Sequence, residues 1–144
     1  DRVDRAEALQ WMFFEQHSLE PNIGAAWFWL TMVRGGRELQ HHAIENWMER
    51  GYGALRVMET HLKHHDFCAA DRYTIADIAL YAYTHVAHEC DFDLATFPAV
   101  RAWLRRVAAQ PGFVEGGGLD VGPAATLVVH RAAHREAVRG APVR

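Results

Sequence analysis

The residues with the chemistry to act in this 144-residue chain are ten histidines, two cysteines and one acid set inside an apolar run. His61, His64 and His65 form a His-x-x-His-His group that a helix would bring partly together, and His85 and His88 stand three apart with Cys90 nearby. Imidazole and thiolate ligands at such spacings are those of a zinc site. Glu38 and His41 make one Glu-x-x-His, without the second copy and paired glutamates of a di-iron bundle. Each group has a plainer reading. His61 to His65 close a helix, where cations interact well with exposed carbonyls, and His41 and His42 sit among polar neighbours. The expectation is no metal centre.

Neither cysteine reads as a nucleophile. Cys68 falls in a loop, where a small buried hydrophobe is the usual role of this residue, and Cys90 precedes Asp91, whose charge disfavours a thiolate. Gly116, Gly117 and Gly118 lack the Lys-Ser/Thr and the preceding strand of a phosphate loop. Asp77 invites a catalytic role, but Thr74 three residues earlier explains it. The Thr74 hydroxyl can accept from the Asp77 N–H while the Asp77 carboxylate reaches back to the Thr74 N–H, a reciprocal helix cap. Tyr73 and Ile78 stand where a hydrophobic staple would close over that turn. Truncating Asp77 is then expected to cost about 0.5–2 kcal/mol, the usual magnitude for a cap.

Helices must position these groups. The first is read from Arg5 to about Ser18, ending before Pro21, and a second apolar segment, Ile23 to Val33, is ended by Gly35 and Gly36. Glu38 to His65 reads as one long helix, with Leu39, Ala43, Trp47, Leu55, Met58 and Leu62 at near-helical spacing and a bend expected near Gly51 and Gly53. Phe67 to Tyr73 is a loop. The capped helix follows to about Glu89, and its apolar run Ile78 to Tyr83 predicts burial on most sides. A last helix starts near Pro98 and stops at Pro111-Gly112. No stretch alternates with the period of a strand, so the fold class is all-α, a helical bundle over residues 1–113. Residues 114–144, rich in Gly, Ala and Arg, read as a tail, either mobile or carrying a short helix from Ala124 to Val138.

Composition narrows the partners. Half the residues are apolar and the net charge is −3, with no basic run along one face, which argues against nucleic acid. Apolar stretches are short and interrupted by charges, so no membrane span is expected. Two cysteines fit a reducing cytoplasm better than a disulfide framework. Asp1 is not a natural initiator, so the expectation is that the true N-terminus lies upstream.

Two stretches carry a family likeness. Phe67-Cys68-Ala69-Ala70-Asp71-Arg72-Tyr73-Thr74-Ile75-Ala76-Asp77-Ile78 and Phe97-Pro98-Ala99-Val100-Arg101-Ala102-Trp103-Leu104 through Gln110-Pro111-Gly112-Phe113 resemble the capping-box loop and a late helix of the C-terminal domain of cytosolic glutathione transferases. Gln10-Trp11-Met12-Phe13-Phe14-Glu15-Gln16 is similar to the opening helix of that domain in bacterial members. Ala70 stands where the family often has Gly, so a backbone conformation that favours Gly is not expected there. The resemblance implies a two-domain parent, in which an N-terminal thioredoxin-like domain binds glutathione as co-substrate. It also implies a homodimer, a cytoplasmic location and a small electrophilic substrate. The chain by itself would then be inactive and hold no cofactor.

In the family, the opening and central helices wall the electrophile cleft. Phe13, Gln16, His17 and Glu20 share one helix face by their i, i+3, i+4, i+7 spacing, a mix of one ring and three polar groups that suits such a wall. Tyr83 on the central helix completes the substrate-binding set. Trp11, Phe14, Glu15 and Ser18 occupy the adjoining face, for core or dimer contact. A different class of function stays open, a non-enzymatic protein-interaction module, since domains of this design resemble parts of translation-factor and synthetase assemblies.

Overall fold

Helix α1 (Arg2–Phe14) starts on Asp1, whose carboxylate accepts from the N–H groups of Val3 at 2.7 Å and Asp4 at 3.0 Å. It does not stop before Pro21, as the sequence suggested. The chain stays helical to Met32, through a wide-turned π-helical segment (Glu15–Gly24), a short α2 (Ala25–Trp27) and a second π-helical turn (Phe28–Met32). The wide turns relocate the hydrogen bonds that a proline would interrupt. Asn22 Nδ2 donates to the Ser18 carbonyl at 2.8 Å across the same turn. Magnitudes decide the outcome. A helix-interior proline costs about 3 kcal/mol, whereas burying Leu19 and Ile23 completely, on either side of it, returns about 1.5–3 kcal/mol each.

Val33 is extended, Gly35 is left-handed at φ 73°, and α3 (Gly36–Leu39) begins at once. A Cβ on Gly36 would lie 1.8 Å from the Trp29 carbonyl oxygen, so only glycine allows this return. The long helix expected from Glu38 instead starts after Gln40 (φ −113°) as α4 (His41–Leu62). His41 Nδ1 lies 2.9 Å from the Glu38 carbonyl, competing for an acceptor that a continuous helix would have used. α4 runs unbroken through Gly51 and Gly53. Gly51 is a point of close approach, since a Cβ there would meet the Phe92 ring at 2.5 Å and Ile23 Cγ1 at 3.1 Å.

The 63–73 loop turns through Ala70 (φ 56°) and Asp71 (φ 46°), so the left-handed backbone not expected of Ala70 is adopted. Contacts enforce it: the Ala70 N–H donates to Glu7 Oε2 at 3.0 Å, Arg72 pairs with Asp4 at 2.8 Å, and Asp71 Oδ1 lies 2.7 Å from His65 Nδ1. Helix α5 (Ile75–Thr84) then begins on Thr74. It ends five residues earlier than Glu89, where the Thr84 hydroxyl and the His85 ring take the carbonyls of Leu80 and Tyr81. Burial of α5 is one-sided, with Ile75 and Ile78 left 58% and 54% exposed. Tyr73 packs on Phe67 and Ile78 faces outward, in place of the expected staple.

A 3-10 turn (Ala87–Cys90), left-handed Asp91 and a second 3-10 turn (Leu94–Thr96) lead to α6 (Pro98–Ala108). The α6 N-terminus has no local cap. Glu59 of α4 supplies one, its carboxylate accepting from the N–H groups of Ala99 and Val100 at 3.0 Å. The core gathers around α5, where Leu19, Ile23, Leu55, Met58, Leu80, Val100 and Trp103 are fully enclosed. The structure describes Asp1–Phe113 in this computed structural model, and the tail expected over 114–144 lies outside the described residues. Among the described residues the fold is all-α, as the periodicity predicts.

Candidate functional site

The π-helical segment faces α5 on one side and α4 on the other, and this splits the residues that α-helical spacing had grouped. Towards α5, Gly24 leaves the space that the Tyr83 ring occupies: a Cβ there would meet the ring at 3.0 Å. Glu15 and Glu20 set the electrostatics around Tyr83. Burial raises the Tyr83 phenol above its ordinary pKa, and the charges of Glu20 and Glu15 add to the rise. Glu15 itself is only 5% exposed. Burial lifts its carboxyl, a hydrogen bond from Gln16 Nε2 at 2.9 Å opposes the lift, and Glu20 reinforces it. Glu15, on the adjoining face by its spacing, thus accepts from Gln16 and lies within electrostatic reach of Glu20 and Tyr83.

His17 goes elsewhere. It lines a groove of about 240 Å³ against α4, with Phe14, Asn22, Arg50 and Val57. Phe13 lies 72% exposed on the last turn of α1. The i, i+3, i+4, i+7 rule holds for an α-helix, and the π-helical turn from Glu15 onward displaces each later residue around the axis. Pro21 was the available signal, although a proline by itself more often marks a helix end.

Asp77 is a structural hub. Its Oδ2 accepts from the Thr74 N–H at 2.9 Å and the Thr74 hydroxyl at 3.1 Å, and its Oδ1 from Cys68 N–H and Trp103 Nε1–H, both at 2.9 Å. The Thr74 hydroxyl accepts in turn from Ala76 N–H at 3.2 Å, and the reciprocal cap is formed. One carboxylate thus joins the loop, the start of α5 and the middle of α6, fully out of solvent.

His61, His65, His85 and His88 serve packing and turns. His61 stacks on His65 and meets Trp11, with Nε2 3.2 Å from the Phe67 carbonyl, and burial lowers its pKa below the ordinary value. His88 Nδ1 lies 3.0 Å from the His85 carbonyl. Among the described residues no group of three or more His, Cys, Asp or Glu side chains is placed to hold a metal ion. Cys68 and Cys90 are both buried thiols. Burial, then the Asp77 charge, pushes Cys68 far above the usual thiol range, and burial with Asp91 and Glu89 raises Cys90 to about 12. Neither supplies a thiolate at neutral pH.

No helix among the described residues is long and apolar enough to cross a membrane. The fold has close solved counterparts. A structure described as a possible glutathione S-transferase from Rhodopseudomonas palustris is 65% identical, with a TM-score of 0.79 over 87% of this chain and 57% of that one. A glutathione S-transferase structure from Pseudomonas fluorescens is 43% identical, with a TM-score of 0.73 over 79% of this chain and 56% of that one. Among curated proteins, the disulfide-bond oxidoreductase YfcG of Escherichia coli is 27% identical over 75% of this chain and 49% of its own length. The chain thus spans about half the length of that relative. The family described as "Glutathione S-transferase, C-terminal domain" matches residues 25–111. The all-α architecture, the relatives and this match agree: the chain belongs to the glutathione S-transferase family, as its C-terminal domain.

Proposed function

We propose that this chain forms the electrophile-binding wall of a cytoplasmic, homodimeric glutathione transferase, alongside a thioredoxin-like domain that binds glutathione and activates its thiol. The observation that carries the reading is the meeting of Tyr83 with the Gly24 turn, within electrostatic reach of Glu15 and Glu20, on the helix pair that walls the family's cleft. The wall consists of Tyr83, Glu20 and Gln16, with Phe13 at its open edge.

This domain contributes position and desolvation. It holds a small electrophile so that the glutathione thiolate, supplied by the partner domain, attacks within a near-attack geometry. The parent transfers the thiolate to an electrophilic carbon or reduces a disulfide or peroxide with it. The test compares the 144-residue chain with the two-domain parent, using glutathione with 1-chloro-2,4-dinitrobenzene, a dialkyl disulfide and cumene hydroperoxide. The parent is expected to show glutathione-dependent turnover with at least one, and the chain with none. A parent inactive with all three overturns the reading.

A further inference from the structure

A second cleft lies between the first turns of α1, the last turn of α4 and the 63–73 loop, away from the wall described above. We propose that it binds a small organic cation, an ammonium group carried on a flat apolar body. Its volume, about 410 Å³, falls in the range of ligand pockets. The floor is aromatic. The Trp11 ring lies 4.7 Å from His61, and His61 stacks on His65 with centroids 4.3 Å apart and planes 13° from parallel. A flat body rests on such a surface, and a cation near the indole face is attracted by its quadrupole.

The rim is acidic, formed by Asp4, Glu7 and Asp71. Two of these carboxylates already face basic groups: Asp4 pairs with Arg72 at 2.8 Å, and Asp71 lies 2.7 Å from the His65 ring. Glu7 differs. Its Oε2 accepts from the neutral Ala70 N–H at 3.0 Å, and no ion pair among the described residues includes it. Its negative charge is therefore held in place at the rim without a cation to match it, a preorganised partner for an ammonium group. Burial favours the neutral form of the His61 imidazole at the centre of the floor. An anion is repelled by this rim, and a neutral ligand gains the stack alone.

Titration calorimetry on the full 144-residue chain tests this with three ligands of one shape: phenethylammonium, 2-phenylethanol and 3-phenylpropionate. Phenethylammonium is expected to bind saturably near a millimolar Kd, about fivefold tighter than the alcohol, with no binding of the propionate. Glu7→Gln keeps an acceptor for Ala70 N–H and is expected to weaken the amine about fivefold while leaving the alcohol unchanged. Trp11→Leu is expected to weaken both, and should that variant fail to fold, the Glu7→Gln arm decides. The proposal is overturned by no saturable binding up to about 10 mM, by equal affinity for amine and alcohol, or by a Glu7→Gln chain that binds the amine unchanged.

Discussion

Replacing Asp77 by Ala should damage this domain well beyond the loss of a helix cap. The carboxylate accepts from Thr74 N–H, Thr74 Oγ1–H, Cys68 N–H and Trp103 Nε1–H, and it is fully enclosed. Losing the cap alone costs about 0.5–2 kcal/mol. Alanine also strands the Cys68 and Trp103 donors in the interior, at about 1–3 kcal/mol each, so with the cap the sum is about 2.5–8 kcal/mol. Against a typical stability of about 5–15 kcal/mol, that is a large fraction. Thr74→Ala removes the acceptor for Ala76 N–H but leaves the ties to Cys68 and Trp103, and should cost about 1 kcal/mol. Urea unfolding of both variants at one pH, followed by far-UV and near-UV circular dichroism, separates the two contributions. An unchanged m-value licenses the comparison. An Asp77→Ala loss within about 1 kcal/mol of the Thr74→Ala loss would refute the hub and return Asp77 to a simple cap.

Further outcomes follow from close approach, backbone and charge. Gly51→Ala should lower the melting temperature, because a Cβ lies 2.5 Å from the Phe92 ring, and overpacking of about 1–3 kcal/mol exceeds the roughly 1 kcal/mol gained in helix propensity; a higher melting temperature would contradict this. Ala70→Gly should raise stability by up to about 1 kcal/mol in urea unfolding, since relief of the left-handed alanine outweighs glycine's extra chain entropy. The folded pKa of His61 is lowered, so the unfolded chain binds its proton first and stability falls as pH drops below the ordinary value of 6.5. His61→Phe should flatten that limb of the melting temperature against pH. Glu15 has the opposite sign: its folded pKa is raised, so stability declines as pH climbs through the interval above 4.5, and Glu15→Gln should melt higher than the parent chain at neutral pH.

Local signals made most of the fold legible. The Thr74-x-x-Asp77 cap, Pro98 at the start of α6 and the Gly35-Gly36 break all act within a few residues of themselves, and all stand where the sequence placed them. Long-range partners explain what was missed. Glu59 caps a helix about forty residues away, and Gly51 answers to Phe92 across the core. Ala70 adopts its strained backbone because Glu7, far upstream, holds its N–H. Pro21 misled most, because burial of Leu19 and Ile23 carried the helix through it as a π turn and turned His17 towards α4, while Glu15 stays on the inward face its spacing assigns. How the polar residues after Phe14 are grouped thus depends on a helical period that the sequence does not announce.

The most direct test of the electrophile-wall reading is steady-state kinetics of the two-domain parent carrying Glu20→Gln or Tyr83→Phe, with glutathione and the electrophile varied in turn. The account predicts that KM or kcat/KM for the electrophile changes several-fold while KM for glutathione stays the same. Unchanged electrophile kinetics in both variants, or a shift confined to glutathione, would contradict it.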